Sequence, residues 1–103
     1  MRFEPVATTS ELPRGKSLCV TVGESEILLC HTPEGIFAVD NPCTHAEERL
    51  QYGKLKGCRV HCPLHGAAFD VRDGSALSRP ATRPLATYPV RIEGDAIQVG
   101  IES

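Results

Sequence analysis

A chain of 103 residues, with 11 Lys and Arg against 13 Asp and Glu and a formal net charge of −2, has room for one domain and offers no basic surface for nucleic acid. No apolar run reaches the length of a membrane-spanning helix, and Met1-Arg2-Phe3-Glu4 lacks the apolar segment of a signal peptide, so no membrane contact is expected. The five cysteines are accordingly expected as thiols in a reducing cytoplasm and not as a disulfide framework.

In chain order the sequence predicts short strands separated by Gly and Pro. Val6-Ala7 opens the series, and Glu11-Leu12-Pro13-Arg14-Gly15 is a turn. Residues 16–22 alternate Leu18, Val20 and Val22 with Cys19 and Thr21 and stop at Gly23. Residues 26–31 carry Ile27, Leu28 and Leu29 into the turn Thr32-Pro33-Glu34-Gly35, and Ile36-Phe37-Ala38-Val39 ends at Asp40-Asn41-Pro42. This spacing is that of an all-β antiparallel sandwich or barrel. Glu47-Glu48-Arg49-Leu50 predicts a single helical turn. Lys54-Leu55 and Arg59-Val60-His61 flank a tight hairpin turn at Lys56-Gly57-Cys58. A strand over 68–71, a turn at Arg72-Asp73-Gly74 and an irregular stretch with Pro80 and Pro84 follow. The chain closes with a strand over 85–92, a turn at Glu93-Gly94-Asp95 and a strand over 96–101.

Within this β pattern lie two short runs that carry chemistry, Cys43-Thr44-His45 and Cys62-Pro63-Leu64-His65. Each offers one thiolate and one imidazole within a turn of backbone. Two such loops face to face present two sulfurs and two nitrogens to one inorganic centre. That donor set suits an iron–sulfur cluster or a structural zinc ion, and argues against hard cations that prefer oxygen. Cys19, Cys30 and Cys58 fall outside both runs and read as small buried or half-buried apolar residues. His61 lies on a strand beside Cys62, so its side chain is expected to point away from the centre.

The two runs, their spacing and the strand order from Ile36-Phe37-Ala38-Val39-Asp40 to Tyr88-Pro89-Val90-Arg91-Ile92-Glu93-Gly94-Asp95 resemble a Rieske-type [2Fe–2S] protein. The likeness covers nearly the whole chain and is narrowest to the ferredoxins of bacterial aromatic-ring-hydroxylating dioxygenase systems, of which Cys62-Pro63-Leu64-His65-Gly66 is typical. One departure is Ala46, where the family commonly has Gly after the first ligand His.

This resemblance implies a Rieske fold: an antiparallel, sandwich- or barrel-like base formed by residues 1–40 and 69–103, with a cluster-binding subdomain, residues 41–68, inserted into it. It implies one [2Fe–2S] cluster, with Cys43 and Cys62 on the inner iron and His45 and His65 on the outer. The stretch from Arg79-Pro80 to Pro84 becomes a third loop covering the cluster, and Glu47, Glu48, Arg79 and Arg83 become candidate docking charges. The implied role is a monomeric cytoplasmic electron carrier, not an enzyme. Its implied partners are a flavin-containing ferredoxin reductase supplied by NAD(P)H and a terminal oxygenase. The alternative is a Rieske-like small subunit of a larger redox enzyme such as an assimilatory nitrite reductase. High-potential Rieske proteins carry an extra cysteine in each ligand loop, joined as a disulfide. They also carry a Ser and a Tyr hydroxyl shortly after the second ligand His. The corresponding positions here are Glu48, Leu64, Ala67 and Phe69, so the resemblance implies a low potential.

Overall fold

The computed structural model describes residues 1–44, 48–63, 66–78 and 83–102. Among these residues ten strands form three antiparallel sheets: β1 (Arg2–Thr8), β2 (Ser17–Val22), β3 (Ser25–Thr32), β4 (Gly35–Asp40), β5 (Lys54–Lys56), β6 (Arg59–His61), β7 (Ala68–Asp70), β8 (Thr87–Tyr88), β9 (Val90–Glu93) and β10 (Ala96–Ile101). The first sheet has the order β1-β10-β9, the second β2-β3-β4-β8 and the third β5-β6-β7. Among the described residues the only helical pieces are 3-10 turns at Thr9–Glu11 and Leu50–Tyr52. No helix there is long and apolar enough to cross a membrane.

The second sheet is the wall between two cores. In a strand successive side chains point to opposite faces, so a sheet covered on both sides needs an unbroken apolar run. Strand β3 has one: Ile27, Leu28, Leu29 and Cys30 are all fully buried. Ile27 and Leu29 join Leu12, Ala38, Ile97 and Val99 in the core shared with the first sheet. Leu28 and Cys30 join Val39, Val60, Phe69, Val71 and Leu85 in the core shared with the third sheet, which also contains Cys43 and Cys62. Burial pushes the Cys30 thiol up to about 12, so it packs as a small apolar side chain. Cys19 and Cys58 are half-buried against the same core, as the sequence predicts.

Two strand predictions change in the structure. The strand expected over 85–92 is broken at Pro89: β8 pairs with β4 in the second sheet and β9 pairs with β10 in the first. Proline has no N–H to give a ladder, so the chain turns a corner there and changes sheet. The Tyr88 hydroxyl donates to the Asp40 carboxylate just before that corner. Burial and this bond push the phenol up to about 12, which keeps it a donor. The first strand is longer than Val6-Ala7, because β1 runs past Pro5 by bulging: Pro5 faces Gln98 and Ala7 faces Ile97, leaving Val6 extra.

Gly74 ties the turn after β7 to the segment entering β8. Its N–H donates to the Asp70 carbonyl, and its own carbonyl accepts from Leu85 N–H, each at 2.7 Å. It holds φ +81°, and a Cβ there would lie 2.2 Å from the Leu85 carbonyl oxygen. Only glycine fits both demands.

Candidate metal centre

Cys43 and Cys62 begin two loops that close in the same way. Cys43 N–H donates to the Glu48 carbonyl at 2.9 Å, and Cys62 N–H donates to the Ala67 carbonyl at 2.7 Å. Each bond spans five residues and encloses one of the histidines. The spacings C-x-H and C-x-x-H thus differ in sequence, while the turns that carry them share one closure. Both cysteines are buried, 5% and 3% exposed, in one core cluster with Leu50, Val60, Ala67 and Phe69. The structure therefore brings together the two predicted sulfur donors. His45 and His65, the two predicted nitrogen donors, lie outside the described residues, as do Glu47, Leu64 and Arg79.

A polar network behind the first loop fixes it to the wall. Asn41, fully buried, has every polar group engaged. Its N–H donates to the Glu26 carbonyl at 3.0 Å and its carbonyl accepts from Leu50 N–H at 2.8 Å. Its side-chain oxygen accepts from Gln51 N–H at 2.9 Å, and its amide donates to the Gln51 side chain at 2.7 Å. Arg49 then grips Glu26 with Nε on Oε1 at 2.8 Å and Nη2 on Oε2 at 3.1 Å, a fork that fits a carboxylate in two places. Of the turn expected at 47–50, Glu47 lies outside the described residues; Arg49 is extended and bridges Pro42, and the helical turn begins at Leu50 and runs to Tyr52.

The second loop is anchored by close backbone packing. Gly53 precedes β5, and a Cβ on it would fall 1.7 Å from the His61 carbonyl oxygen. This contact sets β6, and with it Cys62, against the start of β5. Val60 points into the core, leaving His61 half-buried on the opposite face, as expected.

A further contact joins Thr44, between the first cysteine and histidine, to Arg83. The Thr44 hydroxyl donates to the Arg83 carbonyl, and the Arg83 Nη2 donates to the Thr44 carbonyl, both at 2.8 Å. Sequence reasoning missed both this pairing and the Asn41 network. The partners are 39 residues apart in the first case, and neither set has a period or a motif to flag it.

The hydrogen bonds from Arg49 and Asn41 lower the Glu26 pKa below its ordinary 4.5. Its stabilising contribution is thus complete above about pH 4.5 and lost as pH falls through the depressed folded value. Glu26→Gln should therefore be less stable than wild type in urea at pH 7, with the difference vanishing toward pH 3. A difference that persists unchanged at pH 3 would show that the carboxylate charge is not its source.

The donor set and its setting fit an iron–sulfur group. Two buried thiols on matched loops can supply thiolates shielded from water, and two histidines sit on the same loops. The Rieske [2Fe-2S] domain model matches residues 2–89. The chain is 43% identical over 91 residues, 88% of each chain, to the ferredoxin component of the naphthalene 1,2-dioxygenase system of Pseudomonas aeruginosa. Among solved structures it resembles the ferredoxin of carbazole 1,9a-dioxygenase from Nocardioides aromaticivorans IC177, with a TM-score of 0.93, 30% identity and coverage of 99% of this chain and 100% of that one. It also matches a chain in a complex of reduced oxygenase and oxidized ferredoxin of carbazole 1,9a-dioxygenase, at TM-score 0.89 and 30% identity over 94% of this chain and 91% of that one.

Proposed function

The chain belongs to the Rieske [2Fe–2S] family, and on that footing we propose that it is the ferredoxin component of an aromatic-ring-hydroxylating dioxygenase system. It would carry single electrons from an NAD(P)H-dependent flavin reductase to a terminal oxygenase. Family membership brings one Rieske-type cluster and the role of electron carrier rather than catalyst. When bound, such a cluster takes up and returns one electron, at a higher potential than a four-cysteine cluster because neutral imidazoles replace two thiolates.

The observation that carries the reading is the pair of matched loops. On it we assign Cys43 and Cys62 to one iron and His45 and His65 to the other. The surrounding residues hold this site still: Asn41 and Arg49 anchor the first loop, Gly53 seats the second, and the shared core excludes water from the sulfur side. A rigid, dry setting keeps reorganisation small when charge changes, which suits transfer rather than substrate chemistry. The test is composition and spectrum. The purified protein should be red-brown, with two iron and two acid-labile sulfides per chain and the EPR signal of a Rieske centre. It should also restore electron flow from NAD(P)H to a ring-hydroxylating oxygenase when mixed with the reductase. A colourless protein holding one zinc would overturn the assignment.

The same reading places the potential near the bottom of the Rieske range, which spans about −150 to +300 mV. Ala67 and Phe69 are fully buried and carry no side-chain donor for a nearby sulfur. Supplying two hydroxyls with Ala67→Ser and Phe69→Tyr should raise the potential, because such bonds stabilise the added electron density of the reduced state. Protein-film voltammetry reads both values. A wild-type potential in the upper half of the range would defeat this part of the proposal.

A further inference from the structure

Thr44 and Arg83 form a clasp of two bonds in opposite directions, each end donating to the carbonyl of the other. Reciprocal bonding of this kind fixes both backbones at once. One bond alone would leave either residue free to swing, since each exposed hydrogen bond contributes only about 1 kcal/mol. The second bond also brings a formal charge. The guanidinium is 2.8 Å from the Thr44 carbonyl oxygen, which belongs to the peptide group joining Thr44 to His45. That places a permanent cation against the backbone of the first metal loop, one residue from Cys43 and one from His45. Among the described residues no carboxylate pairs with Arg83, whereas Arg49 and Arg72 have carboxylate partners.

We propose that Arg83 is a positioning residue for the redox centre: its clasp on Thr44 fixes the first ligand loop, and its charge, held on the Thr44–His45 peptide, favours the reduced state. The inference deepens the ligand assignment above and rests on it. Its physics is simple electrostatics. Reduction adds one negative charge to the site, and a fixed cation nearby lowers the energy of the reduced form more than that of the oxidised form. Arginine suits the task because it remains charged at all working pH values and its donors are oriented by a rigid plane. The hydroxyl of Thr44 contributes geometry alone, so the two halves of the clasp separate into two measurable effects.

The experiment compares four holoproteins by film voltammetry, EPR and the rate of bleaching in excess chelator: wild type, Arg83→Gln, Arg83→Lys and Thr44→Val. Arg83→Gln should lower the midpoint potential, so that at a fixed applied potential the reduced-to-oxidised ratio falls on the order of two- to fivefold. That shift should shrink as salt screens the charge. Arg83→Lys should stay close to the wild-type potential. Thr44→Val should keep the potential and bleach several-fold faster. A potential unmoved in Arg83→Gln, or moved equally in Arg83→Lys and Arg83→Gln, would overturn the proposal. Should Arg83→Gln bleach too fast for voltammetry, bleaching decides. Slower loss in Arg83→Lys than in Arg83→Gln supports a charge held at the loop, and equal loss overturns it. The EPR line shape of the wild type reports on the ligands separately, so failure of the clasp and failure of the ligand assignment give different results.

Discussion

Gly74→Ala is expected to destabilise the protein by about 2–5 kcal/mol, lowering its Tm by on the order of 10 °C or more. Two terms add. The residue holds φ +81°, where a side chain costs about 1–2 kcal/mol. The new methyl also meets the Leu85 carbonyl oxygen at 2.2 Å, and that oxygen belongs to backbone that cannot rotate aside. Moving it displaces Leu85, which is buried in the core around the two cysteines, and forced shifts in a packed core cost about 1–3 kcal/mol. Gly23→Ala is the internal control. It has φ +59° and nothing within 4 Å of the added carbon, so only the backbone term applies. Thermal unfolding of the two variants should differ markedly. Equal losses would show that the Leu85 contact is not the cause.

The second large effect is expected from removing the metal centre. Cys62→Ser keeps the side chain's shape but replaces a soft sulfur donor with a hard oxygen, and His65→Ala removes a proposed donor outright. Either variant should be obtained without its cluster. Binding that occurs only in the folded state stabilises it by mass action, and that contribution is lost with the cluster. The loss should be local because the two cores are separate. The core holding Cys43 and Cys62 loses its central support, while the one built on Leu12, Ile27, Leu29, Ile97 and Val99 does not contain them. In hydrogen exchange, the amides of Cys43, Leu50 and Gly53 should therefore speed up by about 100-fold or more, while those of β10 change little. Uniform acceleration across both cores would show that the proposed base, residues 1–40 and 69–103, does not stand without the cluster-binding residues 41–68.

Much of this architecture is legible in the sequence because it follows from local rules. The apolar run Ile27-Leu28-Leu29-Cys30 is what a strand buried on both faces requires, and the hairpin turns at Gly57 and Gly94 coincide with the ends of paired strands. The ligand motif is legible because metal chemistry restricts residue type as well as spacing. What escapes is set by long-range partners. The strand expected over 85–92 runs straight through Pro89, and nothing local says that Tyr88 pairs with Ala38 while Val90 pairs with Val99 in another sheet. Asn41 and Arg49 read as ordinary loop residues, and their importance comes from Glu26 on a strand far back in the chain. Arg83 reads as a surface charge, yet its guanidinium is committed to the Thr44 carbonyl.

The pairing of Arg2 with Ile101 in the first sheet has a practical consequence. The outermost residues of the fold lie side by side on neighbouring strands, so the entry and exit points of the unit almost coincide. A module with this layout is expected to be spliced into a surface loop of another protein, or closed head to tail and reopened at a hairpin turn, without stretching its own sheets. An electron-carrying unit so arranged is expected to keep its internal structure when both outer strands are tied to other chain.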